Sequence, residues 1–137
     1  MKTAILSGLE KYRDFGLLII RVGIGALFIV FGYPKITGGT EMWTQIGSSM
    51  STLGVDFAHT FWGFMAAVAE FLGGILMVFG LFFRLAMLLL IVTMFVAFWM
   101  HYSNGDGFQQ WSRAMEFLVL FLGLFFVGPG RWSVDKV

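Results

Sequence analysis

The residues of this sequence that could do chemistry are a few ionisable side chains set in or beside long apolar runs. Arg21 and Glu70 interrupt such runs, His101 ends one, and Lys35 and Glu116 lie close to run ends. Charged groups inside a membrane are costly and normally face protein or water. At that depth they can exchange protons or hydrogen-bond a polar ligand. The five residues do not make up a catalytic site, and we predict none.

Metal and thiol chemistry are disfavoured by composition. The chain contains no cysteine, which excludes disulfides, thiolate metal sites, iron–sulfur clusters and CxxC redox chemistry. Haem ligation by His59 and His101 is disfavoured because His59 precedes its apolar run. The methionines of the later runs are typical of packing rather than of a copper site. We therefore predict no metal site, and the net charge of +1 offers no basic face for nucleic acid.

Four apolar runs must position the ionisable residues. They cover residues 15–33, 60–80, 84–101 and 112–128. Each approaches the ~20 residues that a helix needs to cross ~30 Å of hydrocarbon, and none alternates as a β-barrel strand does. Of the 137 residues, 58% are hydrophobic and 12% are charged. These features predict an all-α integral membrane protein, a four-helix bundle with residues 1–137 as a single transmembrane domain.

The distribution of lysine and arginine predicts the orientation. Cations are enriched on the cytoplasmic side of short membrane-protein loops. One side of the predicted bundle carries six of them, namely Lys2, Lys11, Arg13, Arg84, Arg131 and Lys136. The opposite side carries Lys35 and Arg113. We therefore expect both termini in the cytoplasm.

The longest connection, residues 34–59, has a helical pattern of its own. Met42, Ile46, Met50 and Leu53 recur at helical spacing, with polar residues between them, up to Gly54. This pattern predicts a short amphipathic helix that lies on the outer surface or folds over the bundle. An irregular polar loop is the alternative.

Each apolar run carries its polar residue on the same helical stripe as small residues, which allow close helix approach in membranes. The four stripes should therefore meet inside the bundle. We expect Arg21 and Glu70 to face each other near the midplane. A polar pocket bordered by Lys35, Glu70, His101 and Glu116 should lie beneath the 34–59 connection, which would act as its lid.

Two interpretations of these residues remain open. Arg21 and Glu70 form either a buried ion pair that sets helix register or a ligand- or proton-linked site, and the two are compatible. His101 is either an ordinary interfacial histidine or a hydrogen-bonding partner for Glu116 or a quinone head group.

Several segments, in order, resemble the DoxX family of small bacterial membrane proteins. They are Arg21–Phe28 with Gly32 and Lys35, Glu70–Leu76, Gly80–Leu81, Arg84–Ala86, His101, Glu116 and Gly128–Asp135. The resemblance covers about 115 residues.

The resemblance implies a four-helix protein of the bacterial inner (plasma) membrane. The family name comes from a subunit of a thiosulfate:quinone oxidoreductase, and other members are associated with membrane oxidoreductase complexes or have no assigned activity. It therefore implies an accessory subunit of a quinone-linked oxidoreductase complex. Such a protein would have no covalently bound cofactor, a quinone as candidate ligand, and other membrane subunits or a second copy as partners within the lipid bilayer. The alternative is a non-catalytic membrane scaffold or assembly factor, and a transporter is a weaker third interpretation.

Overall fold

The structure, a computed structural model, describes residues 6–135, and these form helices joined by short connections. The helices are α1 (Arg13–Thr37), α2 (Thr40–Gly47), α3 (His59–Phe79), α4 (Phe83–Ser103) and α5 (Phe108–Val127), with 3₁₀ helices at Ser7–Tyr12 and Ser48–Leu53. Four of them, α1, α3, α4 and α5, are long and apolar enough to cross a membrane. The predicted all-α four-helix membrane bundle is thus confirmed.

Residues 6–12 and 128–135 lie at one end of the bundle, which we call the terminal end, and residues 38–58 lie at the opposite, loop end. Arg13, Arg84 and Arg131 belong to the terminal end, and Lys35 and Arg113 to the loop end. Lys2 and Lys136, also used to predict the orientation, lie outside the described residues. Which end faces the cytoplasm stays a prediction.

Glycines allow α1 and α3 to pack closely. A Cβ atom on Gly25 would lie 2.8 Å from the carbonyl oxygen of Gly74, and one on Gly32 would lie 2.7 Å from the amide nitrogen of Phe71. Small residues at such contacts permit the close approach on which helix association in lipid depends. The small-residue stripes of α1 and α3 therefore face the bundle interior, as expected from the sequence. The stripe predicted for α5 does not, because Glu116, Gly123 and Val127 are exposed.

The long helices pack side by side in the order α1, α3, α4, α5. The ring of four is not closed by close packing of the α5 and α1 backbones. Within the described residues, α1 and α5 have almost no close backbone approach. Side chains bridge them instead: the Phe28 ring lies edge-on to Phe117 (5.1 Å between ring centroids) and to Phe121 (5.3 Å). This aromatic contact leaves space between α1 and α5 toward the loop end.

Residues 40–53, the loop segment, confirm the predicted short helix before Gly54. The segment consists of α2 and the second 3₁₀ helix, and it ends at Gly54, whose φ is +84°. It packs on α3 and α4. Two indole nitrogens fix it: Trp43 donates to the carbonyl of Lys35 at 2.8 Å, and Trp99 donates to that of Thr52 at 3.1 Å.

The C-terminal segment, residues 128–135, closes the terminal end. The Asp135 carboxylate accepts hydrogen bonds from the amides of Phe82 and Phe83, both at 2.8 Å, and so caps the start of α4. The amides of Val134 and Asp135 donate to the carbonyls of Phe79 and Gly80. The segment thus ties the connection between α3 and α4 to the end of α5.

Candidate functional site

A cavity of about 470 Å³ lies between α1 and α5 in the loop-end half of the bundle. Its lining is polar toward the loop end and apolar deeper in the bundle. Polar and charged side chains lie toward the loop end, namely Lys35, Glu70, His101, Gln109, Gln110 and Arg113. Apolar side chains complete the lining, namely Phe28, Phe31, Met94, Ala97, Ala114 and Phe117. The volume is within the range of small-molecule sites, about 300–1,000 Å³.

An ion pair between Lys35 and Glu70 is the most buried charged element of the cavity. The ammonium nitrogen lies 3.0 and 2.8 Å from the two carboxylate oxygens. The Glu70 side chain is 8% exposed and the Lys35 side chain 36%. Charged hydrogen bonds of this kind are the strong ones, and a buried carboxylate needs them.

Lys35 reaches the cavity because α1 is longer than the apolar run predicted. That run ended at Tyr33, before Pro34, whereas the helix continues through Pro34 to Thr37. Lys35 therefore extends the helical face of Phe28 and Phe31. It is then a wall residue of the cavity rather than part of a loop above it.

A second polar pair, His101 with Asp106, lies at the loop-end rim. Nδ1 of His101 is 2.6 Å from a carboxylate oxygen of Asp106, which belongs to the turn between α4 and α5. The two side chains are 33% and 37% exposed. The carboxylate orients the imidazole, whose ring borders the cavity. Sequence reasoning treated this turn only as a connection and missed Asp106 as the partner of His101.

Sequence reasoning also missed Gln109 and Gln110 on the polar side of α5. Gln109, Gln110 and Arg113 line the cavity, and all three are exposed. Gln110, Arg113, Ala114 and Phe117 share one face of α5 at helical spacing. That spacing is visible in the sequence, but the stripe predicted for α5 ran from Arg113 through Glu116 to Leu120 and not through Ala114 and Phe117.

The expected Arg21–Glu70 pair is not formed, which corrects the sequence prediction. Both side chains are buried, but Glu70 pairs with Lys35, and Arg21 lies at the terminal end. The Arg21 guanidinium donates to the carbonyls of Trp132 (2.8 and 2.9 Å), Pro129 (3.1 Å) and Val78 (3.4 Å). The reason is helix register: the contact of Gly32 with Phe71 sets Glu70 beside the last turns of α1. Arg21, fourteen residues before Lys35, is then about 21 Å away along that helix.

Of the five ionisable residues singled out in the sequence as candidate site residues, the structure brings three together. Lys35, Glu70 and His101 line the cavity, whereas Arg21 does not, and Glu116 is exposed outside it. The loop segment is not its lid either, because no residue of 40–53 contributes to the lining. The segment instead packs on α3, where the Trp43 backbone fills the space beside Gly63.

The arrangement suits an amphiphilic ligand. The loop-end part offers hydrogen-bond donors from Lys35, Arg113 and Gln110 and acceptors from Glu70. The deeper part offers the faces and edges of Phe28 and Phe117. A polar ring with an apolar extension matches both halves, and sites of this mixed character are typical of small-molecule binding.

Comparisons with known proteins agree with the fold. A model of the DoxX family matches residues 16–103. The chain is 31% identical to the inner membrane protein YqjF of Escherichia coli, in an alignment that covers 94% of this chain and 96% of YqjF. It is also 31% identical to the inner membrane protein YphA of that bacterium, over 92% of this chain and 96% of YphA. No solved structure matches it. The four apolar helices and these relatives make the protein a multi-pass protein of the inner membrane, and the chain belongs to the DoxX family.

Proposed function

We propose that this protein is an accessory subunit of a quinone-linked membrane oxidoreductase complex and that its cavity holds the quinone head group. The observation that carries the proposal is the Lys35–Glu70 ion pair at the polar end of a cavity whose other end is aromatic. Electrons would be exchanged with a partner subunit, since the chain has no cysteine for a thiol or iron–sulfur centre.

The donor set of the cavity fits a quinone. A quinone, when bound, supplies reversible two-electron, two-proton chemistry. Lys35 and Arg113 can donate hydrogen bonds to a carbonyl oxygen, and Glu70 can accept one from a hydroxyl. The apolar part of the lining excludes water and strengthens these interactions.

Quinone content after purification tests the proposal. The protein would be purified in a mild detergent, extracted with organic solvent, and its quinone measured by mass spectrometry. We expect about one quinone per chain and a marked loss in Glu70→Gln, whose side chain carries no charge to hold Lys35. Glu116→Gln is the matched control, because Glu116 lies outside the cavity. Quinone no more abundant than in an unrelated membrane protein from the same membranes would refute the proposal.

A scaffold or assembly factor is the second candidate, and the exposed face of the loop segment favours it. Thr40, Glu41, Thr44, Gln45 and Ser48 are all exposed on this segment, which Trp43 and Trp99 fix to the bundle. A rigid polar face at the end of a bundle suits contact with another protein. A photo-crosslinking residue at Gln45 should then capture one discrete partner in cells, and one at the exposed apolar Val22 of α1 should not. A smear of products from Gln45 would count against this function.

A further inference from the structure

The walls of the cavity show on which side it opens. Phe28, Phe31 and Lys35 form a stripe on α1, and α5 supplies the opposite wall. The remaining lining residues come from α3 and α4, which lie behind. Because α1 and α5 are neighbouring helices whose backbones do not approach closely, the cavity has an open side in the gap between them. That gap lies on the lateral surface of the bundle, which faces lipid.

The edges of the gap are accessible from that lateral surface. Phe31 on α1 is 48% exposed although it lines the cavity, and Arg113 and Gln110 on α5 are exposed as well. At 1.5 Å per residue, Phe31 lies about 9 Å below the end of α1, and Phe117 lies about 14 Å below the start of α5. The gap therefore extends about 9–14 Å along these two helices from their loop-end termini.

The inner limit of the cavity is closed. Phe28 is 2% exposed and contacts Phe117 and Phe121 edge-on. Below this aromatic layer the core is filled by side chains such as Met87 and Leu90, which are fully buried. A long apolar chain attached to a head group beside Lys35 cannot continue down the bundle axis. Toward the loop end the chain would meet the polar rim of His101 and Gln109, which an apolar chain avoids. The route that leads to lipid is sideways, past Phe31.

We propose that the cavity binds a ligand with a hydrophobic tail, that the tail leaves through the gap between α1 and α5 into the bilayer, and that the ligand enters by the same gap. This inference rests on the proposed function for the identity of the head group. Phe31 is then a determinant of specificity for tailed over chainless ligands, because it borders the path of the tail.

A chemical block at Phe31 tests the inference. The chain has no cysteine, so Phe31→Cys can be modified selectively with N-ethylmaleimide. Binding of two probes would be measured in nanodiscs: a dimethoxy-methyl benzoquinone with a decyl chain, and the same ring without a chain. After modification we expect the affinity for the decyl probe to fall about tenfold or more, because the adduct obstructs the tail. The affinity for the chainless ring should change less than about threefold.

The matched control is Val30→Cys, one residue earlier on α1. Val30 is 64% exposed and does not line the cavity, so its adduct lies at nearly the same depth and should leave both affinities unchanged. An unaltered affinity for the decyl probe after modification at residue 31 would overturn the lateral path but not the quinone site. An equal loss of affinity for both probes would also overturn the lateral path. Failure of both probes to bind the unmodified protein would overturn the proposed function and this inference together.

Discussion

Lys35 of α1 and Glu70 of α3 are joined by two hydrogen bonds of 3.0 and 2.8 Å, and the two partners are unequally buried. The lysine side chain is 36% exposed and the glutamate 8%. The carbonyl of Lys35 also accepts the indole N–H of Trp43. One turn of α1 therefore connects α3, the loop segment and the cavity.

The unequal burial predicts that replacing Lys35 and replacing Glu70 lower the free energy of unfolding by different amounts. Lys35→Met leaves a buried carboxylate without its cation and should lower the free energy of unfolding by about 3 kcal/mol. Glu70→Gln should cost about 1 kcal/mol, because the amide oxygen still accepts a hydrogen bond and the lysine can extend toward water. Denaturant titration in detergent, followed by tryptophan fluorescence, measures both. An equal or larger cost for Glu70→Gln would contradict the burial described above.

The contact between α1 and α3 predicts opposite effects for two neighbouring glycines. A Cβ on Gly25 would lie 2.7 Å from a methyl group of Val78 and 2.8 Å from the Gly74 carbonyl oxygen, so Gly25→Ala should destabilise the protein by about 1–3 kcal/mol. Gly23 has nothing within 4 Å of such an atom. Gly23→Ala should leave stability unchanged or raise it by up to ~1 kcal/mol. The same unfolding titration compares them, and similar losses at both positions would argue against the packing of these helices.

The hydrogen bonds of Arg21 predict a local effect at the terminal end. Arg21→Lys should release the C-terminal segment, because one ammonium group cannot replace a guanidinium that reaches three carbonyls. We expect faster tryptic cleavage after Arg131 in detergent and a loss of about 3 kcal/mol in stability. Arg113→Gln, at the opposite end, is the control and should leave that cleavage rate unchanged. Cleavage at the native rate in Arg21→Lys would mean that the segment is held by other contacts.

The cation distribution predicts that the terminal end faces the cytoplasm. In intact cells with a permeabilised outer membrane, Ser51→Cys should react with a membrane-impermeant maleimide, and Val134→Cys should react only after lysis. Both residues chosen are exposed, so accessibility to the reagent decides the labelling. The reverse pattern would invert the topology.

The sequence was sufficient to locate the four long helices and the buried faces of α1 and α3, but not the offset between helices along the bundle axis. Apolar runs of membrane-spanning length located four helices, and small residues marked the faces of Gly25 and Gly74 that are buried. The depth of Arg21 or Glu70 within its own helix is countable, yet the offset between two helices depends on contacts such as Gly32 with Phe71. Lys35 was predicted on the same stripe of the first helix as Arg21, but at its outer end. Depth counted along each helix separately therefore made Arg21 the apparent partner of Glu70.

The assignment of Glu116 failed for a related reason. On α5, Arg113 and Glu116 are three residues apart, and the predicted stripe included both with Leu120. Packing on α4 turns Ala114, Leu118 and Phe121 inward, which brings Arg113 to the cavity edge and leaves Glu116 exposed. Hydrophobic periodicity could not make this choice because α5 is apolar on several faces beyond its first turns.

Filling the cavity tests the central claim, that the space between α1 and α5 is a quinone site, most directly. Ala97 of α4 lines the cavity, whereas Val92, on the same helix, is 62% exposed and does not line it. Binding of the decyl benzoquinone would be measured in nanodiscs for Ala97→Phe and Val92→Phe, with unfolding of each variant followed in parallel. We predict that Ala97→Phe loses binding by about tenfold or more while remaining folded, and that Val92→Phe binds as the unaltered protein does. Undiminished binding in a folded Ala97→Phe protein would contradict the assignment of this cavity as the ligand site.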